Sequence, residues 1–135
     1  MIYNFVNYLR VKFPDELFYA NSIDLITGQD EIPDRKVLVK ETGGPIQMKT
    51  GFTEQTVQIV SFAIDQVVAR ALTFSIFCDI HDRNGLLLPV VTVNGEIFAE
   101  VETGCIKAIQ LPYPMGPDQS GVFVWTTNYL VKYVR

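Results

Sequence analysis

The stretch Pro112-Tyr113-Pro114-Met115-Gly116-Pro117-Asp118-Gln119-Ser120-Gly121, followed by the apolar run Val122 to Val134, decides how this chain folds. Three prolines and two glycines exclude a helix or a central strand, so the first part reads as a structured loop and a firm break. The second part is rich in Val, Phe, Trp, Thr and Tyr and holds no Gly or Pro, which is strand composition. A strand this long must be paired and covered, or it would offer an aggregation edge. It therefore belongs in the heart of a sheet, with a structured loop beside it.

Upstream, Cys105 to Leu111 alternates apolar and polar and reads as a strand. Leu86 to Val93 and Glu96 to Glu102 flank Asn94-Gly95, a strong hairpin signal. Asp65 is suited to cap a helix from about Gln66 to Ile80, whose core stripe is Val68, Leu72, Ile76 and Ile80. Val67, Phe74, Phe77 and Cys78 lie off that stripe. So much apolar surface is to be covered by the N-terminal segment or by a neighbouring subunit. Lys36 to Glu41 and Gln55 to Phe62 alternate and predict an antiparallel hairpin with a long tip containing Met48 and Phe52. Tips of that length are usually functional or mobile. Ile2, Phe5, Val6, Leu9 and Phe13 form one stripe of an amphipathic helix over Met1 to Phe13, ended by Pro14. Pro14 to Arg35 reads as an acidic connector, although Phe18-Tyr19-Ala20 has the composition of a short strand. The order predicts an α+β fold: one domain over residues 1–135, a mostly antiparallel sheet, and two helices packed on one face.

Hydrophobic residues make up 48% and charged residues 19%, a globular balance that leaves little charge to cover the surface. The formal net charge is -4 and no basic run occurs, which argues against binding nucleic acid by phosphate neutralisation. No apolar stretch approaches the roughly 20 residues of a membrane span. The N-terminus lacks a secretory pattern, since Asn4, Asn7 and Arg10 interrupt it. Cys78 and Cys105 make neither a disulfide framework nor a zinc spacing, which fits a reducing cytoplasm.

Signals for catalysis are weak. His81 is the single histidine; with Asp79 and Asp82 it falls where a helix C-terminus favours a cation, and a metal would need ligands from elsewhere. Cys78 and His81 are neighbours by helix geometry alone, and Cys105 has only Lys107 as a nearby base. Gly43-Gly44 reads as a turn, because no helix start or Gly-Lys-Ser/Thr follows. Glu96, Glu100 and Glu102 read as a solvated strand face. No catalytic residue, cofactor or metal site is expected.

The motif order resembles the bacteriophage tail terminator family, also known as minor capsid or tail completion proteins. The matching segments are Val39-Lys40-Glu41-Thr42-Gly43-Gly44-Pro45, Thr56 to Phe62, Val68-Ala69-Arg70-Ala71-Leu72, Pro112 to Gly121, and Phe123 through Asn128-Tyr129 to Val131. Together they span roughly residues 36 to 135. Leu86 to Glu102 departs from the pattern, and Gln119-Ser120-Gly121 lacks the arginine usual in that loop. The resemblance implies a non-enzymatic virion protein, assembled in the host cytoplasm. Such a protein caps the head-proximal end of the tail tube as a hexameric ring, stops tube polymerisation and joins the tail to the head connector. The implied partners are a second copy of the chain, the tube protein and the connector protein. DNA would pass through an acidic lumen without being held, and no membrane is involved. Val67, Arg70, Phe74 and Phe77 are then candidates for the subunit interface. Thr42, Gly43, Gly44, Pro45, Met48, Phe52, Met115 and Asp118 are candidates for tube or connector contacts. The alternatives are another ring component of the junction or tube, and a small ligand-binding domain or enzyme.

Overall fold

The computed structural model describes residues 1–23, 33–43 and 52–134. Along the chain these form α1 (Ile2–Lys12), β1 (Phe18–Ala20), β2 (Lys36–Glu41), β3 (Phe52–Ala63), α2 (Gln66–Ile80), β4 (Arg83–Asn84), β5 (Leu87–Leu88), β6 (Val91–Val93), β7 (Glu96–Phe98), β8 (Val101–Ala108), β9 (Tyr113–Pro117) and β10 (Phe123–Val134). The architecture is α+β, with a mixed and mostly antiparallel sheet.

The sheet order is β1-β2-β3-β10-β8-β4, and among the described residues only β1 and β2 run parallel. β10 pairs with β3 along its whole length, from Phe123 opposite Ala63 to Val134 opposite Phe52. On its other side β10 meets two partners in succession, β9 over Phe123–Thr126 and β8 over Tyr129–Tyr133. The closing strand is therefore central, as its composition predicts.

Both helices pack on one face of the sheet. Ile2, Phe5, Val6 and Leu9 of α1 share a core with Leu72, Ile76 and Ile80 of α2 and with Val37, Val39, Val57, Ile59, Ile106, Tyr129 and Val131. Each such large apolar side chain, fully buried, stabilises by about 1.5–3 kcal/mol relative to exposure. Asp65 caps α2 by accepting from the Val67 N–H at 2.8 Å. The buried stripe of α2 is rotated from the expected one: Ala69 and Thr73 are buried and Val68 only partly so. Small residues at 69 and 73 let the helix approach the sheet, a preference that apolar spacing does not encode. The helices are joined through Asp79, whose carboxylate accepts from Tyr8 Oη at 2.9 Å and lies 3.6 Å from Lys12 Nζ.

Three expectations need correction. Phe18-Tyr19-Ala20 is an edge strand, not part of a connector; its parallel pairing to β2 is a tertiary contact with no local turn signal. Arg10 Nη2 donates to the outward carbonyl of Phe18 at 2.7 Å, which blunts that edge. The proline-rich stretch is also a strand, β9, which pairs with β10 alone among the described residues. An edge tolerates proline because the missing N–H faces away from the partner. Finally, strand boundaries shift between residues 86 and 111. Pro89 divides Leu86 to Val93 into β5 and β6, and β8 starts at Val101 and ends at Ala108. A register irregularity near Lys132 disguises the start of β8, beside Gly104, whose open side faces the Lys132 carbonyl. The Asn94-Gly95 hairpin is as expected: both residues have positive φ, 52° and 81°, as a type I′ turn requires.

Candidate assembly interface

The helix α2 carries four of the residues singled out by sequence, and the structure separates them into two groups. Val67 stands in the first turn and is 73% exposed, next to Ile64 at 67%. Neither side chain belongs to a core cluster among the described residues. Arg70, Phe74 and Phe77 instead form a ladder. The Arg70 guanidinium lies 4.4 Å from the Phe74 ring centre and 5.7 Å from that of Trp125. Phe74 meets Phe77 at 6.2 Å, and Phe77 stacks on His81 at 4.7 Å. Phe77 packs against the main core and Phe74 against the smaller cluster of Ala63, Ala69 and Trp125. Their apolar area is thus largely engaged within the subunit, while Arg70 presents an exposed charge on an aromatic bed. Trp125, on β10, completes this ladder; its place shows only as an alternate position of a long strand.

His81 serves as the C-cap of α2. Its Nδ1 accepts from the Ala108 N–H at 3.1 Å, which puts the ring proton on Nε2, 3.3 Å from Asp82 Oδ2. Among the described residues no group of three or more His, Cys, Asp or Glu is placed to hold a metal. Cys78 is exposed on α2 and Cys105 is half-buried on β8, and both are free thiols.

The candidate contact residues gather at two places. At the end of the β2–β3 pair, the ladder continues past Glu41: Thr42 N–H donates to the Thr56 carbonyl and Thr56 N–H to that of Gly43. Gly43 has φ 91°, a conformation costly for residues with a Cβ. Gly44, Pro45 and Met48 lie outside the described residues; Phe52 begins β3, opposite Val134. The second place is the β9–β10 hairpin. Register shifts there, so that Gly116 faces Val124 and Pro114 faces Trp125, leaving Met115 as the extra residue of a bulge. Met115 is 58% exposed and Gly116 takes φ 83°. In the following turn Asp118 Oδ1 accepts from Ser120 Oγ at 2.7 Å, Ser120 N at 2.9 Å and Val122 N at 3.0 Å. These bonds, led by that of the Ser120 hydroxyl, hold the Asp118 carboxyl below its ordinary range. Ile109, Leu111 and Tyr113 extend an apolar, exposed rim from the end of β8 into β9.

The fold and these surfaces define the chain as an α+β domain with exposed apolar groups on both sides of its central strand. No helix is long and apolar enough to cross a membrane among the described residues. No family model matches the chain, and no curated protein matches it.

Proposed function

We propose that this chain is a phage tail terminator subunit that closes into a hexameric ring on the head-proximal end of the tail tube. It stops tube growth there and presents a second surface to the head connector. The reading rests on the order of the sequence motifs. The structural observation that best supports it is the placement of two unlike apolar surfaces. Ile64 and Val67 stand at the start of α2, and Ile109, Leu111, Tyr113 and Met115 line the rim beside β10. Unlike patches meet head to tail, and such contacts generate rings when the rotation closes. A net charge of -4 suits a lumen through which DNA slides without being held.

The test combines the purified protein with its cognate tail tubes, read by negative-stain imaging, and measures its mass alone by light scattering. Rings at one tube end, with tube growth arrested, are the expected result. A protein that neither self-associates nor caps tubes overturns the reading. Unaided growth into tubes would assign the chain to the tube itself.

A further inference from the structure

We propose that the β6–β7 hairpin of one copy docks on the helix-free sheet face of the next copy, pairing glutamates with lysines. This rests on the self-assembly proposed above and specifies the surfaces that make it.

The hairpin is an acidic arm. Between Arg83 and Lys107 the sequence has three glutamates and no basic residue. Glu96, Glu100 and Glu102 are all exposed, and none takes part in an ion pair among the described residues. Ile97 at the arm is 75% exposed, Val90 56% and Leu87 51%. The arm forms its own two-stranded sheet, held from the helical side by Asn4 and by Tyr3, whose ring lies 4.9 Å from that of Phe98.

The receiving surface lies across the sheet. Val57, Ile59, Tyr129 and Val131 face the helices, so strand alternation sends their neighbours to the opposite side. Register then assigns Lys36 beside Phe62, Lys40 beside Gln58, Lys107 beside Leu130, and Lys132 beside Glu54 to that face. Glu54 on β3 and Glu102 on β8, whose neighbours Val101 and Thr103 face the core, are the two carboxylates at these positions among the described residues, against four lysines. An acidic chain has therefore gathered four lysines on one side. A concavity of about 240 Å³ opens there, lined by Glu54, Cys105, Lys107, Leu130 and Lys132. Its apolar floor and ammonium rim complement an exposed isoleucine flanked by carboxylates, as Ile97 is by Glu96. Because arm and face are different surfaces of the subunit, the contact is heterologous, as a ring demands.

Two charge-reversed forms of the full chain test this. One carries Glu96→Lys and Glu100→Lys; the other carries Lys40→Glu and Lys107→Glu. All four sites are exposed, and thermal melting checks that both variants fold. Each alone should self-associate at least about tenfold more weakly than the native chain at low salt, since like charges then face each other. An equimolar mixture should recover assembly, because alternating copies bring opposite charges together again at the reversed positions. Native-like association of either variant alone, or no recovery on mixing, overturns the proposal while leaving the ring reading intact. A native chain that stays monomeric alone and on tail tubes overturns both. If the lysine variant instead loses binding to a short DNA duplex while its self-association is unchanged, the face belongs to nucleic acid and the proposal fails.

Discussion

Asn4, fully buried in α1, donates through Nδ2 to the carbonyl of Ala99 at 2.9 Å, and also to those of Pro89 at 3.0 Å and Phe98 at 3.2 Å. One amide thus secures both ends of the β6–β7 arm to the first helix. Replacing it removes the donor from three part-buried carbonyls, which costs about 0.5–1.5 kcal/mol per hydrogen bond lost. Asn4→Leu should lower the melting temperature and expose the 89–99 segment to protease before the rest of the chain. Cleavage unchanged from the native protein would mean that the arm is held by Tyr3 and Phe98 alone.

Val67→Asp and Phe77→Asp should separate assembly from folding. Val67 is exposed in the first turn of α2, where a carboxylate meets the positive end of the helix dipole, so stability should stay within about 0.5 kcal/mol. Ring formation should nevertheless weaken. Phe77 packs against the core, and a carboxylate there should cost about 3 kcal/mol or more. Denaturant melts of the two variants check this; equal stability losses would place Val67 in the core as well.

Much of the core pattern was legible in the sequence because period and composition report burial directly. Val37, Val39, Val57, Ile59 and Tyr129 sit where strand alternation puts them. The Asp65 cap and the Asn94-Gly95 turn are local chemistry and stand as read. Asn4 could not be read, since a buried asparagine on a helix looks like a surface residue until its distant carbonyl partners are known. Likewise β1 and β9 depend on what lies beside them: a three-residue parallel edge and a proline-bearing edge carry no local strand signal. Of the candidate interface, Val67 was visible by its exposure off the stripe. The engagement of Phe74 and Phe77 was not, because Trp125 arrives from a strand about 50 residues away in a chain whose contacts are mostly non-local.

Tyr129→Phe should be neutral or stabilising. Among the described residues the Tyr129 hydroxyl is buried without a well-formed hydrogen bond, as are Ser61 Oγ, Trp125 Nε1 and Thr127 Oγ1 on the same side of the sheet, with Thr127 as a weakly interacting neighbour. Burial pushes the Tyr129 hydroxyl pKa up, so it stays neutral at any working pH. Deleting a buried polar atom that makes no well-formed bond removes a desolvation penalty. A stability loss above about 1 kcal/mol would show that the hydroxyl is satisfied through a bridging water.

The Asp118 turn should loosen in acid. Its folded pKa lies below the ordinary aspartate value, so its contribution is complete above about pH 3.9 and fades as pH falls through the lower folded value. Amide exchange at Ser120 and Val122 should accelerate over that window, while Asp118→Ala should show fast exchange at every pH. Exchange in the native protein that is flat with pH would remove the carboxylate from the turn.

The pairing of β10 has a consequence for biosynthesis. A ribosome completes β3, β8 and β9 before the strand that joins them, so the nascent chain must keep the long edge of β3 unpaired while about 60 further residues emerge. During that interval the exposed hydrogen-bonding edge is open to chaperones and to other nascent chains. Premature termination before β10 would leave the β3 and β8 halves of the sheet joined only through the helical core.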